Sequence, residues 1–154
     1  MSNTTSAAYE NLKLENQLCF PLYAAAKEVV RLYTPHLNPL GLTYTQYIVM
    51  MVIWDEEEIV VKDLCERLYL DTGTLTPLLR KLAEKELIRL TPRQQDRRSV
   101  VACATKKGLA LREKAVTIPS LVGSCVKLSQ EEAMQLYTLS YKVLAGLKPQ
   151  EQEA

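Results

Sequence analysis

The chemistry in this chain centres on Cys19, set in Leu14-Glu15-Asn16-Gln17-Leu18-Cys19-Phe20-Pro21-Leu22-Tyr23. The segment is amphipathic, with Leu18, Leu22, Ala25, Val29 and Leu32 recurring at helical spacing. Tyr23, Tyr33, Tyr44 and Tyr47 follow within thirty residues of the thiol. A cysteine supplied with phenol donors can be held as thiolate, the form that attacks oxidants or binds metals. The plain alternative is a small hydrophobe packed in a helix. Cys65 lies on an apolar helical stripe and Cys103 alternates in a strand-like run, and both read as packing residues. Cys125 stands in Leu121-Val122-Gly123-Ser124-Cys125. No Cys-x-x-Cys pair occurs, and the lone His36 has no cysteine or carboxylate at ligand spacing, so no metal or other cofactor is expected. Phosphate-cradling glycine loops and nucleophile elbows are also missing, which argues against an enzyme.

Tyr33 lies fourteen residues beyond Cys19, roughly 21 Å along a straight helix. It cannot touch the thiol of its own chain unless the helix breaks. A second chain running antiparallel could supply it, so a site joining the two residues would belong to a homodimer.

The charge is unevenly distributed. Residues 1–79 hold 5 Lys/Arg against 10 Asp/Glu, residues 80–107 hold 9 against 3, and residues 108–154 hold 5 of each. A basic block of +6 inside an otherwise acidic or neutral chain of 154 residues suggests a polyanionic partner. The polar first ten residues lack the basic and apolar regions of a secretory signal. The longest apolar run, Tyr47 to Trp54, is too short to span a bilayer. A cytoplasmic protein with no membrane association is expected, and there four cysteines imply no permanent disulfides.

The elements that must position these residues are mostly helical. A long helix is expected from about Asn11 to Tyr33, with Pro21 kinking or restarting it. Thr34 to Gly41 reads as a linker. Thr43-x-x-Gln46 is a capping-box pattern opening a helix through Trp54, and Asp55 to Glu58 reads as a solvated loop. Val60 to Leu68 makes a short helix, with Val61, Leu64, Cys65 and Leu68 on one face. Asp71 or Thr72 caps the next, whose apolar face is Leu75, Leu78, Leu79 and Leu82. Pro77 should make its opening turns irregular. Leu87 to Thr91 and Ser99 to Ala104 are strand-like around a polar turn. A helix from Lys106 to Ile118 should stop at Pro119. Ser129-x-x-Glu132 opens a last helix to about Leu144.

Two short helices joined by Tyr69-Leu70-Asp71 and followed by a basic hairpin make a winged helix-turn-helix. The second would read double-stranded DNA, with Thr74, Thr76, Arg80 and Lys81 facing groove edges and phosphates. Arg93, Arg97 and Arg98 would stand at the hairpin tip, where arginine can enter a minor groove.

The details resemble one family. Leu68 to Leu82 is similar to the recognition-helix segment of the MarR family, and Asp96-Arg97-Arg98 fits its Asp-x-Arg wing motif. Asn16-Gln17-Leu18-Cys19-Phe20, Tyr33 and Leu42-Thr43-Tyr44-x-Gln46-Tyr47 resemble the organic-hydroperoxide-sensing repressors of that family, the OhrR branch. The likeness covers roughly residues 12 to 145. It implies that Arg98 contacts DNA and Asp96 holds the wing. It also implies that Cys19 is the peroxidatic thiol, Tyr33 and Tyr44 the phenols that hydrogen-bond it, and Cys125 the resolving thiol of the two-cysteine type.

The expected protein is therefore mainly α with a small β-hairpin wing, a MarR-like dimer built from one winged helix-turn-helix domain over residues 1–154. Its dimerisation helices would lie at about 11–40 and 106–146, and its DNA-binding part at about 43–104. The function expected is a repressor that leaves a pseudopalindromic operator when organic hydroperoxides oxidise Cys19. A regulator of the same fold switched by a small aromatic ligand is the first alternative, and a thiol peroxidase using Cys19 the second.

Overall fold

The computed structural model describes residues 9–93 and 99–147. A 3-10 turn at Leu14–Asn16 precedes the helix at Cys19–Leu37, here α1. The helix expected from Asn11 thus starts eight residues later and runs four further. Pro21 falls in its first turn, where the N–H groups have no intrahelical partner, so the ring neither breaks a bond nor kinks the helix. The expected linker is helical through Leu37 despite Pro35, followed by a 3-10 turn at Asn38–Leu40. Gly41 ends that turn at φ 66°, a left-handed conformation that glycine adopts without steric cost.

Helix α2 spans Tyr44–Glu56. Its capping box is complete, with Gln46 N–H donating to Thr43 Oγ1 at 3.3 Å and Thr43 N–H to Gln46 Oε1 at 3.2 Å. Gln46, Tyr47, Val49, Met50, Val52, Ile53 and Trp54 are buried around its circumference, which makes α2 the centre of the core. The acidic run is not a free loop: Asp55 and Glu56 finish α2 and pair with Arg67, and Glu58 opens a strand. That strand, β1 at Glu58–Val60, has no signal in a three-residue acidic-to-aliphatic stretch.

Helix α3 at Val61–Leu68 and helix α4 at Thr72–Glu84 follow, then β2 at Ile88–Pro92 and β3 at Val100–Ala104. The sheet is three-stranded and antiparallel, ordered β1-β3-β2, rather than a bare hairpin. Leu90, Ala102 and Ile59 share one row, Arg89, Cys103 and Glu58 the next. Ala102 and Ile59 are buried, so the first row packs inward at these two positions and leaves Leu90 exposed at the edge strand. Pro77 sits within α4, and the helix stays continuous around it; Thr76 Oγ1 donates to Thr72 O at 2.7 Å.

Helix α5 covers Lys106–Ala115, and α6 covers Ile118–Gly123 with Pro119 in its first turn. Pro119 starts a helix instead of stopping one, because its missing N–H is one the first turn does not need. The core gathers Leu37, Met50, Ile53, Leu64, Leu75, Leu82 and Val122. Gly108 allows α5 to meet it: a Cβ there would lie 2.1 Å from Leu87 O, and the Trp54 indole N–H donates to Gly108 O at 2.9 Å. Helix α7 at Gln130–Leu147 opens on the Ser129–Glu132 capping box, with bonds of 2.8 and 3.2 Å. None of its residues is buried. Among the described residues, no helix is long and apolar enough to cross a membrane.

Candidate nucleic-acid interface and thiol site

Tyr69, in a left-handed conformation at φ 54°, ends α3 and turns the chain toward α4. Asp71 caps α4. Its carboxylate accepts from Thr74 N–H at 2.8 Å and from Thr74 Oγ1 at 2.7 Å. These bonds, the side-chain one foremost, hold the Asp71 carboxyl below the usual carboxylate range. Leu75, Leu79 and Leu82 bury the inner face of α4, with Leu78 partly covered. Thr74, Thr76, Arg80 and Lys81 all lie exposed on the opposite side, as the spacing predicts. The threonine hydroxyl protons are engaged with Asp71 and Thr72, so these side chains offer oxygen acceptors while Arg80 and Lys81 offer cationic donors.

Arg93 N–H donates to Ser99 O at 2.8 Å and closes the base of the β2–β3 hairpin. The exposed Arg93 side chain lines a cleft with Glu56, Glu58, Asp63 and Arg67. Three carboxylates nearby give Arg93 competition for any phosphate. Asp96, Arg97 and Arg98 lie outside the described residues.

Cys19 is the first residue of α1, exposed and free. Apolar side chains around it are exposed too: Leu18 is 75% accessible, and Phe20, Leu22 and Tyr23 are all open to solvent. Helix α1 is unbroken to Leu37, so Tyr33 stands at the end opposite Cys19. There it meets α2. The Tyr33 ring centroid is 5.0 Å from that of Tyr44 and 5.9 Å from that of Tyr47, and Tyr47 in turn meets Trp54 at 6.3 Å. Burial pushes the Tyr44 and Tyr47 phenols above the usual tyrosine range, with the Tyr33 phenol adding to it, so both stay protonated donors at neutral pH. Tyr47 is the member of this cluster that sequence reasoning did not assign to the site. Its helical position, three residues after Tyr44, was the available signal.

Cys125, just beyond α6, is exposed and free, and its Sγ donates to Leu121 O at 3.5 Å. Cys65 is buried beside Thr72, with Sγ 3.9 Å from Oγ1, and Cys103 is partly covered on β3. Both match a packing role. The single chain thus brings the three tyrosines together and leaves Cys19 apart from them. A cleft of about 430 Å³ also opens beside Tyr47, lined by Met51, Trp54, Arg67, Arg112 and Val116. Among the described residues, no group of His, Cys, Asp and Glu side chains is arranged to hold a metal ion.

The model of the MarR family matches residues 42–100, which span α2 through the first residue of β3. The organic hydroperoxide resistance transcriptional regulator of Bacillus subtilis is 42% identical over 139 residues, covering 90% of this chain and 95% of the relative. Among solved structures, reduced AbfR of Staphylococcus epidermidis bound to DNA is 27% identical with a TM-score of 0.74, covering 92% of this chain and 99% of that one. The disulfide-formed AbfR is 26% identical with a TM-score of 0.59, covering 94% and 98%.

Proposed function

The chain belongs to the MarR family, a DNA-binding transcriptional regulator like its relatives and not an enzyme, and on that premise we propose that it is a homodimeric repressor sensing organic hydroperoxides through Cys19. The observation that carries the proposal is the separation of thiol and phenols along one unbroken helix. An antiparallel second copy brings Cys19 to the partner's Tyr33 and the partner's Tyr44. The surface for that copy exists: α7 buries nothing, and Met134, Tyr137, Leu139 and Leu147 stand exposed on it together with Phe20, Leu22 and Leu32 of α1. Apolar faces of this extent are rarely left to water. The dimerisation regions are then about residues 11–40 and 106–146 and the reading part about residues 43–104 of a single domain spanning 1–154, working in the cytoplasm on a pseudopalindromic operator.

The chemistry runs in two steps. The Cys19 thiolate attacks the outer peroxide oxygen of the hydroperoxide, the O–O bond breaks, and sulfenic acid forms while the leaving alkoxide takes up the proton the thiol released and departs as an alcohol. The thiol of Cys125 of the partner subunit then attacks the sulfenic sulfur, forming a disulfide and releasing water. The disulfide form of AbfR supports a fold able to host such a bond. A hundredfold loss of operator affinity needs only about 2.7 kcal/mol of difference between the two states. Arg80 and Lys81 on α4 would read the operator, with Thr74 and Thr76 beside them and Arg93, Arg97 and Arg98 on the wing held by Asp96.

Operator binding before and after cumene hydroperoxide, with rescue by a thiol reductant, tests the proposal. Wild type is expected to release and rebind, and Cys19→Ser to stay bound throughout. Release by Cys19→Ser would move sensing elsewhere. The Tyr47–Arg112 cleft favours one second reading, a regulator switched by a small aromatic anion. Release by phenolic acids with no response to hydroperoxide would select it.

A further inference from the structure

Lys85 follows the last residue of α4, the helix that presents Arg80 and Lys81. Its ammonium does not run free into solvent. It donates to Gly41 O at 2.5 Å and to Gln46 Oε1 at 3.2 Å. Gln46 lies in the first turn of α2, and Gly41 ends the 3-10 turn that leads into it. Gln46 forms the capping box with Thr43 and is 2% exposed, so its carbonyl oxygen depends on partners within the chain. Gly41 is fixed in its left-handed turn. Tyr44 and Tyr47 occupy the same first turn of α2, and Tyr44 rests on Tyr33. One side chain therefore joins the phenol end of the molecule to the end of the helix expected to read DNA.

The neighbouring residues anchor the other side. Thr105 Oγ1 donates to Glu86 O at 2.6 Å and Thr105 N–H to Leu87 O at 3.0 Å, so the turn after α4 is also pinned to the start of α5. Glu86 is itself held at φ 61°. The turn after α4 is thus tied to both α2 and α5.

We propose that Lys85 is the positioning residue that couples the tyrosine cluster to the recognition helix, so that a change at the phenols alters how α4 meets DNA. The coupling rests on the sensor function proposed above, but its mechanical part can be read without oxidation. Linkage is reciprocal: if α2 biases α4, operator binding at α4 must alter the opening of the α2 N-terminus. Hydrogen exchange at residues 43–47, with and without a bound DNA fragment carrying the operator, reports this directly.

In wild type, operator is expected to slow exchange at residues 43–47. Lys85→Met, which keeps most of the aliphatic stem and loses the donors, should show no operator-dependent slowing there, while Lys85→Arg should retain it. The ratio of operator affinities between reduced and peroxide-treated protein should fall at least tenfold in Lys85→Met, with thermal stability close to wild type. Operator-dependent slowing that persists in Lys85→Met overturns the proposal. So does a loss of affinity with a flattened salt dependence and an unchanged ratio, which would make Lys85 a phosphate contact. If wild type shows no response to hydroperoxide but its exchange coupling vanishes in Lys85→Met, the sensor reading fails and the coupling stands.

Discussion

Cys19 and Tyr33 occupy opposite ends of one unbroken helix, the first at its N-terminal residue and the second four residues from its end. No side-chain rotation brings them together across roughly 21 Å. A thiol site that uses both must be assembled from two chains.

Arg80→Ala should cost about 1–3 kcal/mol of operator affinity if its guanidinium reads a base edge. Lys81→Ala should instead lower the slope of log affinity against log salt by about one, as expected for one lost phosphate contact. Binding titrations over a salt series separate the two. Unchanged affinity and slope in both variants would remove the exposed face of α4 from the interface.

Cys125→Ser should abolish a covalent dimer that hydroperoxide generates in wild type and that non-reducing electrophoresis displays. Without its resolving thiol, Cys19 should proceed to sulfinic and sulfonic acid, visible as added oxygen by intact mass. A wild-type product that stays monomeric, carrying a mixed disulfide with an added small thiol, would make Cys125 a bystander.

Asp71 sets the acid side of stability for the reading head. Its carboxyl titrates below the usual range because Thr74 donates to it, so the cap contributes fully above about pH 4 and weakens as pH falls through the folded value. Asp71→Ala should therefore melt lower than wild type at pH 7, and the gap should narrow on acidification below about pH 4. A gap that stays constant down to pH 2 would contradict the role of the charge.

Gly108→Ala should destabilise the fold by about 1–3 kcal/mol, because the new methyl meets the Leu87 carbonyl at 2.1 Å and backbone must move. Urea denaturation reads it. An unchanged midpoint would show that α5 can shift at no cost.

The winged helix-turn-helix was legible because its signals are local: the Asp71 cap, the Leu75–Leu79–Leu82 stripe and the Thr43–Gln46 box each act within a turn or two of helix. Pro21 and Pro119 do not break helices as their sequence context suggests, since the effect of a proline depends on where the helix begins, and that boundary is set by tertiary packing; Pro35 and Pro77 lie inside helices that continue around them. Strand β1 was invisible because its partner, β3, lies more than forty residues away. The exposure of Tyr33 and Tyr44 toward each other needed two helices to meet, whereas Tyr47, one turn from Tyr44, could have been added from spacing. The Lys85 strap links residues 39 and 44 apart and leaves no sequence pattern.

Mixed dimers test the shared site most directly. One chain carries Cys19→Ser, the other Tyr33→Phe with Tyr44→Phe, and the heterodimer is isolated by two different affinity tags. If the thiol of one chain is served by the phenols of the other, the heterodimer holds one intact site. Its single Cys19 should then react with cumene hydroperoxide at the wild-type rate, well above the rate of the double tyrosine homodimer. A Cys19 that reacts only as slowly as in that homodimer would place thiol and phenols on the same chain and contradict the account.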